Sequence, residues 1–232
     1  MFASVVIGGG GFGVSEFVEV ASSILNVVAA GVVALTAFQG LNTWKHEARA
    51  KRGMELGVQV LALSYECIDV IRYMRNPWSP ASEQHEIVRD EGESEESFQI
   101  RRAYAPLFLR YQNSREKFAE LLALRYQAEA LYTAAHREAI EQVQKLANDL
   151  HHAANQAAWV RSQLERDRTL FDRNKDQFTA LVDKQHAYED EVWGMGKEDD
   201  RFEPRITETK ALIEGLFRSI AIDGEWPPRS KK

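Results

Sequence analysis

The sequence predicts an all-α protein: one N-terminal transmembrane helix followed by a cytoplasmic bundle of long antiparallel helices. Three observations carry this expectation. Val20 to Trp44 holds no charged side chain, whereas the rest of the chain is rich in Arg, Glu, Asp and Lys. Beyond that stretch the apolar residues recur at steps of three and four, the period of a helix that buries one face. No run after it alternates apolar and polar residues as a half-buried strand does.

Composition bounds the rest. Hydrophobic residues make up 44% and charged residues 28% of 232, the proportions of a folded protein rather than a disordered one. A mean hydropathy of −0.40 despite the apolar stretch makes the remainder decidedly polar. The net charge of −6 argues against a nucleic-acid partner, because neutralising phosphates needs a basic face. Cys67 is the only cysteine, so no intrachain disulfide forms and a disulfide-stapled secreted fold is excluded.

Residues 1–17 read as a glycine-rich, uncharged-to-acidic tail on the outer side of the membrane. Gly8 to Gly13 formally match G-x-G-x-x-G. A dinucleotide site also needs a βαβ unit and an acidic residue about 20 positions on. Here the apolar stretch occupies that place and no acidic residue stands between Glu19 and Glu47, so no cofactor is expected.

Residues 18–42 form the expected membrane span. A helix rises about 1.5 Å per residue, so roughly 20 apolar residues cross the hydrocarbon core. No Lys or Arg precedes Lys45, which is not the pattern of a cleaved signal peptide. The basic cluster Lys45, Arg49, Lys51 and Arg52 follows the span and, with the interfacial Trp44, is expected to touch the membrane surface. Positive charge stays inside, which places the N-terminus outside an inner (plasma) membrane and the C-terminal part in the cytoplasm. Ser23, Asn26, Ala30 and Ala34 lie at steps of three and four, a seam along which two copies of the helix can approach.

Residues 43–78 give the first cytoplasmic helix. Leu56, Val60, Leu63, Cys67, Val70 and Met74 keep an unbroken period of 3.5, and Asn76-Pro77 ends it. Residues 79–96 carry seven acidic side chains and few large apolar ones, which predicts an extended, solvated linker. Residues 97–222 then read as a long helical hairpin plus a C-terminal helix. Tyr104, Phe108, Tyr111, Phe118, Leu122 and Leu131 face inward in its first arm. Its second arm runs from Ile140 through Val143, Ala147, Leu150, Ala154, Ala157, Leu164 and Phe171 to Phe178 and Val182, with Arg161, Arg168 and Lys175 interrupting the stripe. No Gly or Pro marks a turn between Leu131 and Arg137, so a hairpin and one continuous helix both fit, and compactness favours the hairpin. Gly194 and Gly196 stop the second arm, and Pro204 opens the last helix with Ile206, Ile213, Leu216, Phe217 and Ile220 inward. Residues 223–232 read as an irregular tail.

Thr43-Trp44-Lys45, followed by Glu55, Leu56, Tyr65, Asp69, Ile71-Arg72 and Arg75-Asn76-Pro77-Trp78, resembles a set of uncharacterised bacterial single-pass membrane proteins. Their pattern is a TWK-type exit from the anchor and an IRxxRxP[FW] end to the first cytoplasmic helix. The resemblance covers residues 18–80, with Trp193, Asp200 and Glu214 as further matching features. It implies the same topology and carries no activity.

Sites of chemistry are scarce. H-E-x-x-H, G-x-S-x-G, P-loop and kinase signatures are missing. His151 and His152 diverge by about 100° on a helix, and Asp183, His186 and Asp190 read as a solvated face, so no metal is expected. Cys67 lies in the apolar stripe with no base beside it. Tyr65, Asp69, Arg72 and Arg75 fall at helical spacing and read as an ordinary surface network. No catalytic residue emerges. The expected function is protein–protein interaction, as a scaffold or sensor held at the lipid bilayer, with an unknown cytoplasmic partner and a possible homo-oligomer. The alternative is a single-pass effector that assembles into a pore.

Overall fold

The computed structural model describes residues 14–167, 169–194, 198 and 200–224, with side chains at 22 and from 25 to 222 within those ranges and at 224. The glycine pattern of Gly8 to Gly13 and the tail 225–232 lie outside the described residues. The described residues form eight helices and no strand. Contacts divide the chain into two compact units, Met1–Arg49 and Ala50–Lys232.

Among the described residues of the first unit, the only element is the opening part of α1, a helix of 61 residues that spans Val14–Met74. Its large apolar side chains are exposed, from Leu25, Val27 and Val28 through Val32, Val33 and Leu35 to Phe38 and Leu41. The stretch is long and apolar enough to cross a membrane. Its hydroxyls are satisfied within the helix: Thr36 Oγ1 donates to the carbonyls of Val32 (3.0 Å) and Val33 (2.9 Å), and Thr43 Oγ1 donates to that of Gln39 (3.1 Å). Such bonds hide a polar group from its surroundings at little cost to the helix.

The second unit holds the rest of α1 and seven further helices: α2 (Ala81–Glu86), α3 (Glu95–Ala123), α4 (Arg125–Leu131), α5 (Ala134–Arg166), α6 (Leu170–Arg173), α7 (Lys175–Trp193) and α8 (Glu203–Asp223). From residue 50 on, α1 buries Leu56, Val60, Cys67, Ile68, Ile71 and Met74. Gly53 and Gly57 do not break it; helix α8 comes so near that a methyl group on Gly57 would lie 3.4 Å from the Ala221 side chain.

Contacts along the helices fix their directions. Between α1 and α8, Tyr65 reaches Glu214 and Arg72 reaches Glu203, so the two run oppositely. Between α3 and α5, Tyr111 bonds Gln144, and Phe108 packs on His151, again in opposite senses. Helices α5 and α8 meet through Asp149 with Arg205 and His136 with Phe217. Helix α5 is the centre: Ala139, Ala147, Ala153, Ala154 and Ala157 are all buried, and small side chains let neighbouring axes come close. Around it Tyr104, Leu107, Phe118, Ile140, Leu150, Phe202 and Phe217 close the core. Each such fully buried large side chain contributes roughly 1.5–3 kcal/mol.

Three expectations need correction. The acidic segment 79–96 is exposed for most of its length, as expected, but it is not extended throughout: α2 forms inside it, and Glu83 and Glu93 are tied to Arg110 and Arg101. Ion pairs with Arg101 and Arg110 of α3 offset part of the like-charge repulsion on which that expectation rested. The second arm is not continuous either. The chain leaves the helix at Asp167, makes the single turn α6, and restarts where the Asn174 side chain accepts from the Gln177 N–H. Phe171, expected inside, lies in that break and is half exposed. In the first arm it is Leu121 rather than Leu122 that is buried.

Candidate functional site

Two arginines end up almost wholly buried where α1 stops, and both would be read from sequence as surface charges. Arg75 follows Ile68 and Ile71 by seven and four residues, on the inner face of α1, and its side chain has no exposed surface. It donates from Nη1 and Nη2 to the two carboxylate oxygens of Asp200 at 2.9 and 2.7 Å, and from Nε to the Glu191 carbonyl at 3.0 Å. The Phe202 ring lies 4.9 Å from the guanidinium carbon. Glu203 adds a second carboxylate at 3.8 Å. Such a two-pronged, desolvated pair is the strong kind of ion pair, and it joins α1 to the segment that starts α8.

Asp200 is itself held from the other side. Its Oδ1 accepts from the backbone N–H groups of Phe202 (2.9 Å) and Glu203 (3.2 Å), at the start of α8. Burial alone pushes its carboxyl up, but the Arg75 guanidinium and the two N–H donors outweigh it and hold the pKa below the ordinary aspartate value. Gly194 completes the pocket. A methyl group there would run into the Asp190 carbonyl oxygen and come 2.9 Å from Arg75 Nη2, so this glycine is required for space rather than for its backbone angles.

Arg110, on α3, organises the chain that leaves α1. Its guanidinium donates to the carbonyls of Tyr73 (2.9 Å), in the last turn of α1, and of Asn76 (2.6 Å) and Trp78 (2.8 Å), in the chain that follows it. It also grips Glu83 of α2, with Nη2 to Oε2 at 2.8 Å, and lies 4.4 Å over the Tyr73 ring. The Arg110 guanidinium, helped by the Tyr73 hydroxyl, holds the Glu83 carboxyl low. Every prong of Arg75 and Arg110 is thus occupied by the protein. Neither offers a free cation to a ligand, and their role is to fix α1, α2, α3 and α8 together.

Several residues late in α1 pair with residues from the C-terminal part of the sequence near this region. Tyr65 bonds Glu214 at 2.8 Å, Arg72 bonds Glu203 at 2.6 Å, Arg75 bonds Asp200, and Trp193 stacks on Tyr104 at 6.3 Å. The surface network expected among Tyr65, Asp69, Arg72 and Arg75 is therefore corrected: three of these four reach across to the far end of the sequence. Asp69 keeps only a 3.9 Å contact to Arg72 and is largely exposed.

The other sequence-derived residues are placed singly. Trp44, Lys45, Arg49, Lys51 and Arg52 are all exposed. So are Asn26, Ala30 and Ala34, while the Ser23 side chain lies outside the described residues. Cys67 is fully buried, and burial pushes its thiol up to about 12, which removes it as a nucleophile near neutral pH. Among the described residues no group of three His, Cys, Asp or Glu side chains is placed to hold a metal ion. Comparison of the chain with protein-family models, curated proteins and solved structures finds no match.

Proposed function

We propose that this chain is a membrane-anchored interaction module: α1 crosses the inner (plasma) membrane, and the packed helices form a cytoplasmic bundle that binds a protein partner, as a scaffold or sensor. One observation carries the anchor. From Leu25 to Leu41 the large side chains of α1 are exposed and none is buried by the protein itself. Eight Leu, Val and Phe side chains at roughly −0.3 to −0.6 kcal/mol each favour transfer into a bilayer by about 2–5 kcal/mol. In water the same surface is an aggregation hazard. The basic residues Lys45, Arg49, Lys51 and Arg52 after the apolar stretch favour the orientation with the N-terminus outside.

Binding rather than catalysis is supported by how the charged groups are used. The buried arginines and carboxylates are spent on joining helices, and the buried thiol is unreactive. The topology is tested with reporters fused to either end: a C-terminal reporter that works only in the cytoplasm is expected to be active and an N-terminal one inactive. The reverse pattern overturns the orientation.

A second reading, a self-assembling membrane effector or pore, rests on Asn26, Ala30 and Ala34, which stand exposed on α1. Small residues permit close helix approach, and an Asn–Asn bond across such a contact contributes about 0.6–2 kcal/mol. Mass measurement in detergent separates the readings: a monomer supports the tethered module, a ring of many copies the pore.

A further inference from the structure

A groove of about 380 Å³ opens in the second unit where four segments meet: Ser79 from the loop after α1, Gln84 from α2, Gln99, Arg102 and Pro106 from α3, and Arg161 from α5. Its polar lining is two guanidiniums, two carboxamides and a hydroxyl, without a carboxylate. In a chain of net charge −6 that is a local reversal of sign.

The way arginines are used elsewhere makes these two exceptional. Among the described residues, every other buried or half-buried arginine has a carboxylate within 4.0 Å, Arg75 and Arg110 included. Arg102 and Arg161 have none. The partner of Arg102 is the Gln84 carbonyl oxygen at 3.3 Å, a neutral group at the limit of bonding distance. Arg161 lies near the Tyr104 hydroxyl, which itself donates to Glu189 at 2.8 Å. Two half-buried cations that face one groove repel each other, and an anion seated between them relieves that repulsion.

Guanidinium groups match the oxygens of a phosphate two at a time, and the Gln84 carboxamide lines the same groove. The volume exceeds that of one inorganic ion and suits a small molecule. We propose that this groove binds a phosphate-bearing small molecule, with the phosphate held between Arg102 and Arg161. The inference goes beyond the anchor and does not depend on it, because every residue used lies in the second unit.

The test is thermal unfolding of the full chain in detergent, titrated with inorganic phosphate against chloride at equal ionic strength. Phosphate is expected to raise the midpoint saturably. Arg102→Gln and Arg161→Gln are each expected to weaken the half-saturating concentration about tenfold, the loss of one charge-assisted bond. Arg115→Gln, an exposed change on α3, should leave it unaltered. If the Arg161 variant fails to fold, Arg102→Gln decides alone. A phosphate effect no larger than that of chloride, or one of equal size in Arg102→Gln, overturns the proposal.

Discussion

Asp200→Ala isolates the contact that joins α1 to α8. The substitution removes a carboxylate with 7% of its side chain exposed from a guanidinium with none, together with bonds of 2.7 and 2.9 Å. Arg75 then keeps only the Glu191 carbonyl at 3.0 Å and the Glu203 carboxylate at 3.8 Å. Leaving a buried charge without its partner costs about 3–5 kcal/mol. The nearby Glu203 offsets part of this, and loss of the bonds to the N–H groups of Phe202 and Glu203 adds about 1 kcal/mol. A net cost of about 3–4 kcal/mol corresponds to a drop of roughly 10 °C in Tm at this chain length. Chemical denaturation and thermal melts in detergent, followed by circular dichroism, read it directly. Adding Arg75→Met removes the stranded cation, so the double variant is expected to be more stable than Asp200→Ala alone. The pH dependence has a definite sign. The folded-state pKa of Asp200 lies below its unfolded value of about 3.9, so its contribution is full above that value and is lost as pH falls through the folded pKa. The difference between wild type and Asp200→Ala should therefore shrink as pH falls below about 4. A cost below about 1 kcal/mol, or a double variant no better than the single one, refutes the reasoning.

Gly194→Ala should destabilise by about 1–3 kcal/mol although its backbone angles suit alanine, because the methyl group runs into the Asp190 carbonyl oxygen and meets Arg75 Nη2 at 2.9 Å; a neutral effect in the same melts would show that the pocket gives way freely. His136 is buried against Tyr132 and Phe217, and burial holds its pKa below 6.5 against the opposing pull of the Leu216 carbonyl. The unfolded chain takes up the proton first, so Tm should fall as pH drops from about 7 toward the folded pKa, and His136→Phe should flatten that slope. His151, also depressed by burial, leaves a residual slope; a profile unchanged by His136→Phe contradicts the assignment.

The apolar periodicity was a sound guide to part of the buried faces of α1 and α8, although Leu63 and Val70 are only half-buried and Ile68 and Ile71 are buried off the expected stripe. Leu56, Val60, Cys67 and Met74 on α1, and Ile206, Ile213, Phe217 and Ile220 on α8, are buried as their spacing requires. Turns without Gly or Pro were harder to place. The break before α5 rests on the extended backbone of Thr133, and the break before α7 on the cap made by Asn174. Both residue types favour helix starts, and that signal was available in the sequence. The clamps were hidden for a different reason. Charged residues on a helix are read against their neighbours three and four positions away, which pairs Arg72 with Asp69, whereas their partners in the fold lie more than a hundred residues distant. The position of Arg75, four residues beyond Ile71 on the buried stripe, was the one local clue that it points inward. Arg110 shows a similar clue, falling three residues after Leu107.

The central claim is that α1 holds the helical unit in a membrane. Its most direct test is alkaline carbonate extraction of membranes from cells that express the full chain, beside a variant with Val28→Lys and Val32→Lys. Two lysines near the middle of the span cost about 5–7 kcal/mol, more than its apolar residues supply. The full chain is expected to stay in the membrane pellet and the double variant to leave it. A full chain that is extracted into the supernatant, as a peripheral protein is, contradicts the account.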